Sequence, residues 1–332
     1  MRIKKRVFEY ITVFMAIFFM GLIISAPKVC SQGAKYGLII CARVLIPSLF
    51  PFAVPVLFLI NTELFNNSKH KLDLVYFLSL LGGYPIGAKI IAEISSKRII
   101  SKDTASKMII YCINAGPAFI VLAVGKGILN NIKIGYILLF SHIISSVILW
   151  LILRPKTIIK GSYNKSVSPT ENLVQSIYNA SNATISICAF VVFFSVINEY
   201  LRMFGAQKLL LITEVTTAST TTDNIFIISF LLGFAGISIW AQIFHILECI
   251  PVSLIKFLSV RIIHGVLSAT ITYLVCKYLK IGIKTLSNGI VFKQATLFSD
   301  TVLSISIFIM AILLVINIKS KKYCGNIIKD MI

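Results

Sequence analysis

Charge is what this sequence has least of. Asp, Glu, Lys and Arg make up 13% of its 332 residues, against about 25% in a soluble domain. With a mean hydropathy of +0.91, that shortage excludes an ordinary water-soluble enzyme or binding domain. Acidic residues are the scarcer sign, 12 against 32 basic. They are scattered, without the paired carboxylates that acid–base or two-metal chemistry uses. The 7 cysteines form no CxxC pair, so neither a disulfide framework nor a zinc site is indicated. HExxH is missing, Gly125-Lys126-Gly127 lacks the Walker spacing, and GGYPIG is not a GxGxxG loop behind a strand. The residues argue for no enzyme, no cofactor and no metal.

What is present is a series of long apolar runs bounded by Lys-rich loops. That pattern reads as membrane helices rather than the alternating strands of an outer-membrane barrel. The net charge of +20 is dispersed between the runs. It fits topogenic lysine and attraction to anionic membrane lipid, not nucleic-acid binding. It is also compatible with an electropositive vestibule for an anionic solute. Basic MRIKKR precedes an apolar run from Tyr10 to Ala26. A signal peptide or a retained first helix fits this, and the retained helix is favoured because no A-x-A site follows.

Several runs are interrupted where a plain transmembrane helix would not be. The stretch Leu78 to Glu93 places Gly82-Gly83-Tyr84-Pro85-Ile86-Gly87 between two arms too short to span a bilayer, which takes about 20 residues. Glycine and proline there break the helix and free backbone N–H and C=O groups. Such backbone persists at membrane depth only inside protein or facing water. A re-entrant hairpin with a polar tip is expected. Residues 105–128 are broken at Asn114-Ala115-Gly116-Pro117, and a helix with Pro47, Pro51 and Pro55 on one face is expected to kink. The second half repeats the order. A short arm, Lys208 to Ile212, leads into Thr213-Glu214-Val215-Thr216-Thr217-Ala218-Ser219-Thr220, and the run 225–247 is interrupted at Gly233 to Ser238. His142 and His264 occupy matched places in the helix that follows each break.

The expected architecture is therefore an all-α polytopic membrane protein, an inverted repeat with two re-entrant hairpins and two discontinuous helices. Three full crossings per half insert the halves in opposite senses. The expected organisation is an N-terminal membrane helix (1–33), a first repeat (34–153), a cytoplasmic linker (154–172), a second repeat (173–278), and a C-terminal interfacial segment with a last helix (279–332).

The segments VLIPSLFPFAV, LGGYPIGAKIIAEI, CINAGPAFIVLAVGKGIL, TEVTTAS and GFAGIS, in that order from Val44 to Ala269, resemble the sporulation integral membrane protein YlbJ family, also called stage V sporulation protein V, which carries the nucleoside-recognition Gate domain. The chain departs from typical members at Ile113 and Ala115, where they carry Asn and Ser, and at Ala218, where Gly is common. The resemblance implies a role in moving dipicolinic acid toward the spore, in the membrane around the forespore. It also implies similarity to the core of concentrative nucleoside transporters, so a nucleoside is the alternative solute. A spore-envelope scaffold is the third reading, disfavoured by the short loops.

The candidate solute-binding residues follow from the two tips and the two breaks. Half-helix N-termini carry partial positive charge; Gly87, Pro117 and Ser238 are read as opening such half-helices. Gly83 and Gly116 supply open backbone, Lys89 a positive charge or a snorkelling helix end, and Tyr84 a ring for stacking or an interfacial anchor. Asn114 is read as the leading polar contact or as a filler of the break. Thr216 and Thr217 can donate to a carboxylate. Glu214 is read as binding a coupling proton or cation, or as holding a lysine. Gln242 lies one turn beyond Ser238, as a site wall or a bridge between helices.

Overall fold

The computed structural model describes residues 2–155 and 168–280, apart from 217, 218, 220, 221, 223 and 248. Every regular element among them is helical. The expected linker centre, Thr217, the Lys-rich segment beyond Lys280 and the last helix at Ser299 to Ile318 lie outside the described residues.

Helix α1 spans Arg2–Ser25. Helix α2 runs through Pro27–Ile60. The proline face does not end α2. A wider π turn at Cys41–Leu45 comes just before Pro47, where a missing N–H and a crowded ring make the ordinary turn costly. Ser48 Oγ also donates to Val44 O at 2.6 Å. After the short α3 (Glu63–Asn67) come α4 (Lys71–Gly82), α5 (Tyr84–Ser96), α6 (Lys102–Cys112) and the π-wound α7 (Phe119–Ile128). Helix α8 is Ile132–Leu153 and α9 Pro169–Met203. The second half continues with α10 (Leu210–Thr213), α11 (Ile225–Phe234), α12 (Gly236–Ile246) and α13 (Leu254–Tyr278).

Among the described residues, five spans are long and apolar enough to cross a membrane: Pro27–Ile60, Ile132–Leu153, Pro169–Met203, Ile225–Ile246 and Leu254–Tyr278. Their outward faces carry large apolar residues, such as Phe140, Leu151, Ile262 and Leu274. In water these would be a liability; in lipid they cost nothing. The 35 residues of α9 measure about 50 Å at 1.5 Å per residue, more than a bilayer core. Its N-terminus is capped by Ser168, which accepts from the Glu171 amide at 3.2 Å.

Close packing depends on small residues, as expected where lipid removes any hydrophobic drive between helices. Gly33 and Gly37 lie four apart on α2. A Cβ on either would sit 2.7 Å from Val196 Cα or Val192 Cα of α9. Gly125 on α7 meets Gly135 on α8, and Gly233 on α11 meets Gly265 on α13, both backbone to backbone. Buried hydroxyls add short ties: Tyr76 on α4 to Ser146 on α8 at 2.9 Å, and Ser229 on α11 to Ser268 and Thr272 on α13 at 2.9 and 2.8 Å.

Candidate functional site: a cavity where two helix tips meet

The first hairpin turns at a single residue. Helix α4 stops at Gly82, Gly83 takes φ 84° and ψ 178°, and α5 begins at Tyr84 with Pro85 in its first turn. That conformation is open to glycine and strained for residues with a Cβ, while proline is preorganised for a helix start. The tip presses on the first break, residues 113–116. A Cβ on Gly83 would lie 3.3 Å from Gly116 N, and one on Gly116 3.4 Å from Gly83 Cα. The second half repeats the contact with other residues. Helix α10 ends at Thr213, Glu214 is extended, and Val215 and Thr216 resume a helical course. The second break is Ala235 and Gly236, both left-handed with φ 75° and 78°. A Cβ on Gly236 would lie 3.4 Å from Thr213 O. In each half, then, the end of a helical arm rests on the interruption of the following helix.

Both apices open onto one cavity of about 30 Å³, room for about two waters. Gly83, Tyr84 and Pro85 line it from the first tip and Gly116 from the first break. Glu214, Val215 and Thr216 line it from the second tip, and Ile239 and Gln242 from α12. Leu45, Leu49, Phe119, Ile187 and Val191 make the rest apolar. Glu214 is 2% exposed and its Oε1 accepts from the Thr216 amide at 2.9 Å. Gln242 donates through Nε2 to Ser238 Oγ at 3.4 Å, while its buried Oε1 has no hydrogen-bond partner. The Tyr84 hydroxyl crosses to the other half and donates to Leu232 O.

Of the residues singled out in the sequence, Gly83, Tyr84, Gly116, Glu214, Thr216 and Gln242 are brought together on this wall. Gly87, Lys89, Asn114 and Ser238 are not on it. Gly87 does not open a half-helix: α5 begins three residues earlier, and Gly87 is there because a Cβ would sit 2.8 Å from Cys112 O. Lys89 turns away and donates to Asn179 O of α9 at 2.6 Å. Asn114 is fully buried behind the wall, its amide donating to Tyr111 O at 3.2 Å, so it fills the break. Ser238 touches the cavity through Gln242 alone.

Behind Tyr84 is a residue the sequence reading passed over. Arg261 on α13 is fully buried. It donates through Nη2 to Ile110 O at 2.8 Å and through Nη1 to Ile113 O, and its guanidinium lies 5.7 Å from the Phe257 ring centroid. A cation at the carbonyl end of α6 meets the negative end of the helix dipole and satisfies groups the break exposes. The signal was available: a lone arginine one turn before His264, well inside an apolar span. The two histidines meet, ring centroids 4.5 Å apart. His142 Nε2 accepts from the Ala115 amide at 3.0 Å, and His264 Nε2 lies 3.4 Å from His142 O. The first break is thus held from three sides, by Asn114, His142 and Arg261.

Buried tips, interrupted helices and lipid-facing apolar surfaces define a multi-pass integral membrane protein with a small cavity lined from both tips. The chain is similar to the sporulation integral membrane protein YlbJ of Bacillus subtilis (strain 168), 24% identical over 80% of this chain and 83% of that protein. That likeness supports the family resemblance carried by the motifs. No protein-family model matches the chain, and no solved structure matches it.

Proposed function

We propose that the protein is a membrane carrier of a small organic anion, with dipicolinic acid as the solute the family resemblance implies, acting in sporulation at the forespore membrane. In this reading the two halves form an inverted repeat like the core of the concentrative nucleoside transporters. One observation carries it: the apices of both hairpins line a single buried cavity. Corresponding helices also face one another, α2 on α9 and α8 on α13, as a two-fold axis in the membrane plane would arrange them. A cavity of about 30 Å³ is too small for an aromatic dianion. The carrier therefore works by parting the tips on one side and then the other, and the backbone contacts at Gly83–Gly116 and Thr213–Gly236 are where it parts.

The test is flux. Purified protein in liposomes should carry labelled dipicolinate across the bilayer faster than protein-free liposomes. Background flux from folded protein contradicts the reading. The nucleoside alternative draws on a specific feature of the wall. Glu214, Thr216 and Gln242 offer hydrogen bonds, and no Lys, Arg or His lines the cavity among the described residues. Unlabelled nucleosides that suppress dipicolinate flux at comparable concentrations would move the assignment to them.

A further inference from the structure

The solute of the proposed carrier is an anion, yet no Lys, Arg or His lines the cavity among the described residues. A fully buried cation lies just behind the wall. Arg261 on α13 is 0% exposed, and Tyr84, which lines the cavity, is within its electrostatic reach. Arg261 also holds Ile113 O, three residues before Gly116 on the same wall. It is held but not neutralised. None of the ion pairs among the described residues includes it. Its Nη1 and Nη2 donate to Ile113 O and Ile110 O, while its Nε–H is buried without a hydrogen-bond partner. The Phe257 face and the carbonyl end of α6 ease the charge but supply no counter-ion. A full charge inside a membrane span is costly, and clasping two carbonyls does not require one, because a neutral amide has two N–H donors as well. What the guanidinium adds is a permanent positive charge with an open donor, which is the complement of a carboxylate.

We propose that Arg261 recognises the negative charge of the solute: when the first tip withdraws, Tyr84 moves aside and the Nε–H of Arg261 donates to a carboxylate oxygen. The proposal rests on the carrier reading and adds the residue that makes its solute a carboxylate. Tyr84 follows Gly83 directly, so parting the Gly83–Gly116 contact also takes the ring off the guanidinium. Both carbonyl contacts use Nη atoms, so the first break stays clamped while Nε binds. A neutral nucleoside has no group that needs this cation.

The experiment uses full-length protein, in detergent for binding and in liposomes for flux. Calorimetry at neutral pH compares dipicolinate with its uncharged analogue, pyridine-2,6-dicarboxamide. Wild-type protein should bind the dianion more tightly by about tenfold to a hundredfold, the span of one charge-assisted hydrogen bond. In Arg261→Met that ratio should fall toward one with the affinity for the dicarboxamide little changed, and Arg261→Lys should restore part of it. A purely structural role would weaken both ligands alike, so an unchanged ratio in Arg261→Met overturns Arg261 as the recognition residue and leaves the carrier standing. Equal affinity of wild-type protein for the two ligands does the same. Neither binding nor flux of dipicolinate by wild-type protein overturns the carrier reading and this proposal with it. A second measurement needs no variant. Phenylglyoxal modifies arginine, and mass spectrometry reads the peptide that carries Arg261. Arg261 should react more slowly than the exposed Arg98 and Arg154, and saturating dipicolinate should slow it several-fold further. An Arg261 that never reacts, or reacts at the same rate with dipicolinate bound, overturns the proposal even if Arg261→Met fails to fold.

Discussion

The two hairpin tips do the same job with opposite means. The first is almost all backbone: Gly83 at φ 84°, where an added Cβ would lie 3.3 Å from Gly116 N, with Tyr84 tied across to Leu232 O. The second presents side chains, Glu214 and Thr216, on an extended step between short helical pieces. The breaks differ too. The first is clamped by side chains from other helices, Arg261 and His142. The second closes on itself with two left-handed residues and a bond from Trp240 Nε1 to Phe234 O at 3.0 Å. A tip made of backbone tolerates little change of sequence and offers little choice of chemistry. A tip made of side chains can be tuned. On the carrier reading proposed above, the first tip sets geometry and the second sets selectivity.

Substitutions should separate the two. The largest effect belongs to the first tip. Gly83→Val puts a β-branched side chain at a positive-φ, extended position that is essentially glycine's alone, at a cost of about 1–3 kcal/mol for conformation, and brings Cβ to 3.3 Å from Gly116 N. Flux should vanish and the thermal midpoint in detergent should fall, whereas Thr216→Val in the second tip should leave the midpoint near wild type while changing flux. Next is the clamp on the first break. Arg261→Lys keeps the charge but cannot reach both carbonyls in the planar fork. Losing one charge-assisted bond should cost about 1.5–3 kcal/mol, read by chemical or thermal unfolding. A neutral result would mean that Arg261 does not hold the break. Tyr84→Phe removes the tie between halves and should cost about 1 kcal/mol; a change in flux larger than that in stability would place the hydroxyl on the solute. The smallest effect is expected at Lys89→Met. Its ammonium bonds Asn179 O outside the cavity, so dipicolinate affinity should change little. Loss of affinity by tenfold or more would return Lys89 to the site.

Much of this arrangement was legible in the sequence, for a physical reason. Gly83, Gly116-Pro117 and Gly233 to Ser238 mark where a helix must stop, and helices that stop inside a membrane have to bury their ends somewhere. Both breaks fall where glycine and proline put them, and His142 and His264, matched in sequence, meet in space. Side-chain direction was not legible. The start of α5 at Tyr84 is within reach, since Pro85 favours the first turn, yet the pattern points to Gly87 as the opening of that half-helix. Whether Lys89 points at the tip or at α9 depends on a partner 90 residues away. Arg261 contacts residues 148 and 151 positions back in the chain, and no local pattern gives such pairings. The π winding of α7 and of Cys41–Leu45 left no mark in the periodicity either.

The most direct test of the two-tip site is protection from labelling. In a background with the native cysteines replaced, Pro85→Cys and Thr216→Cys each put one thiol on the cavity wall, one from each tip. The account predicts that a water-soluble thiol reagent modifies both and that saturating dipicolinate slows both reactions by an order of magnitude. Protection of only one thiol, or of neither in protein that binds dipicolinate, would contradict it.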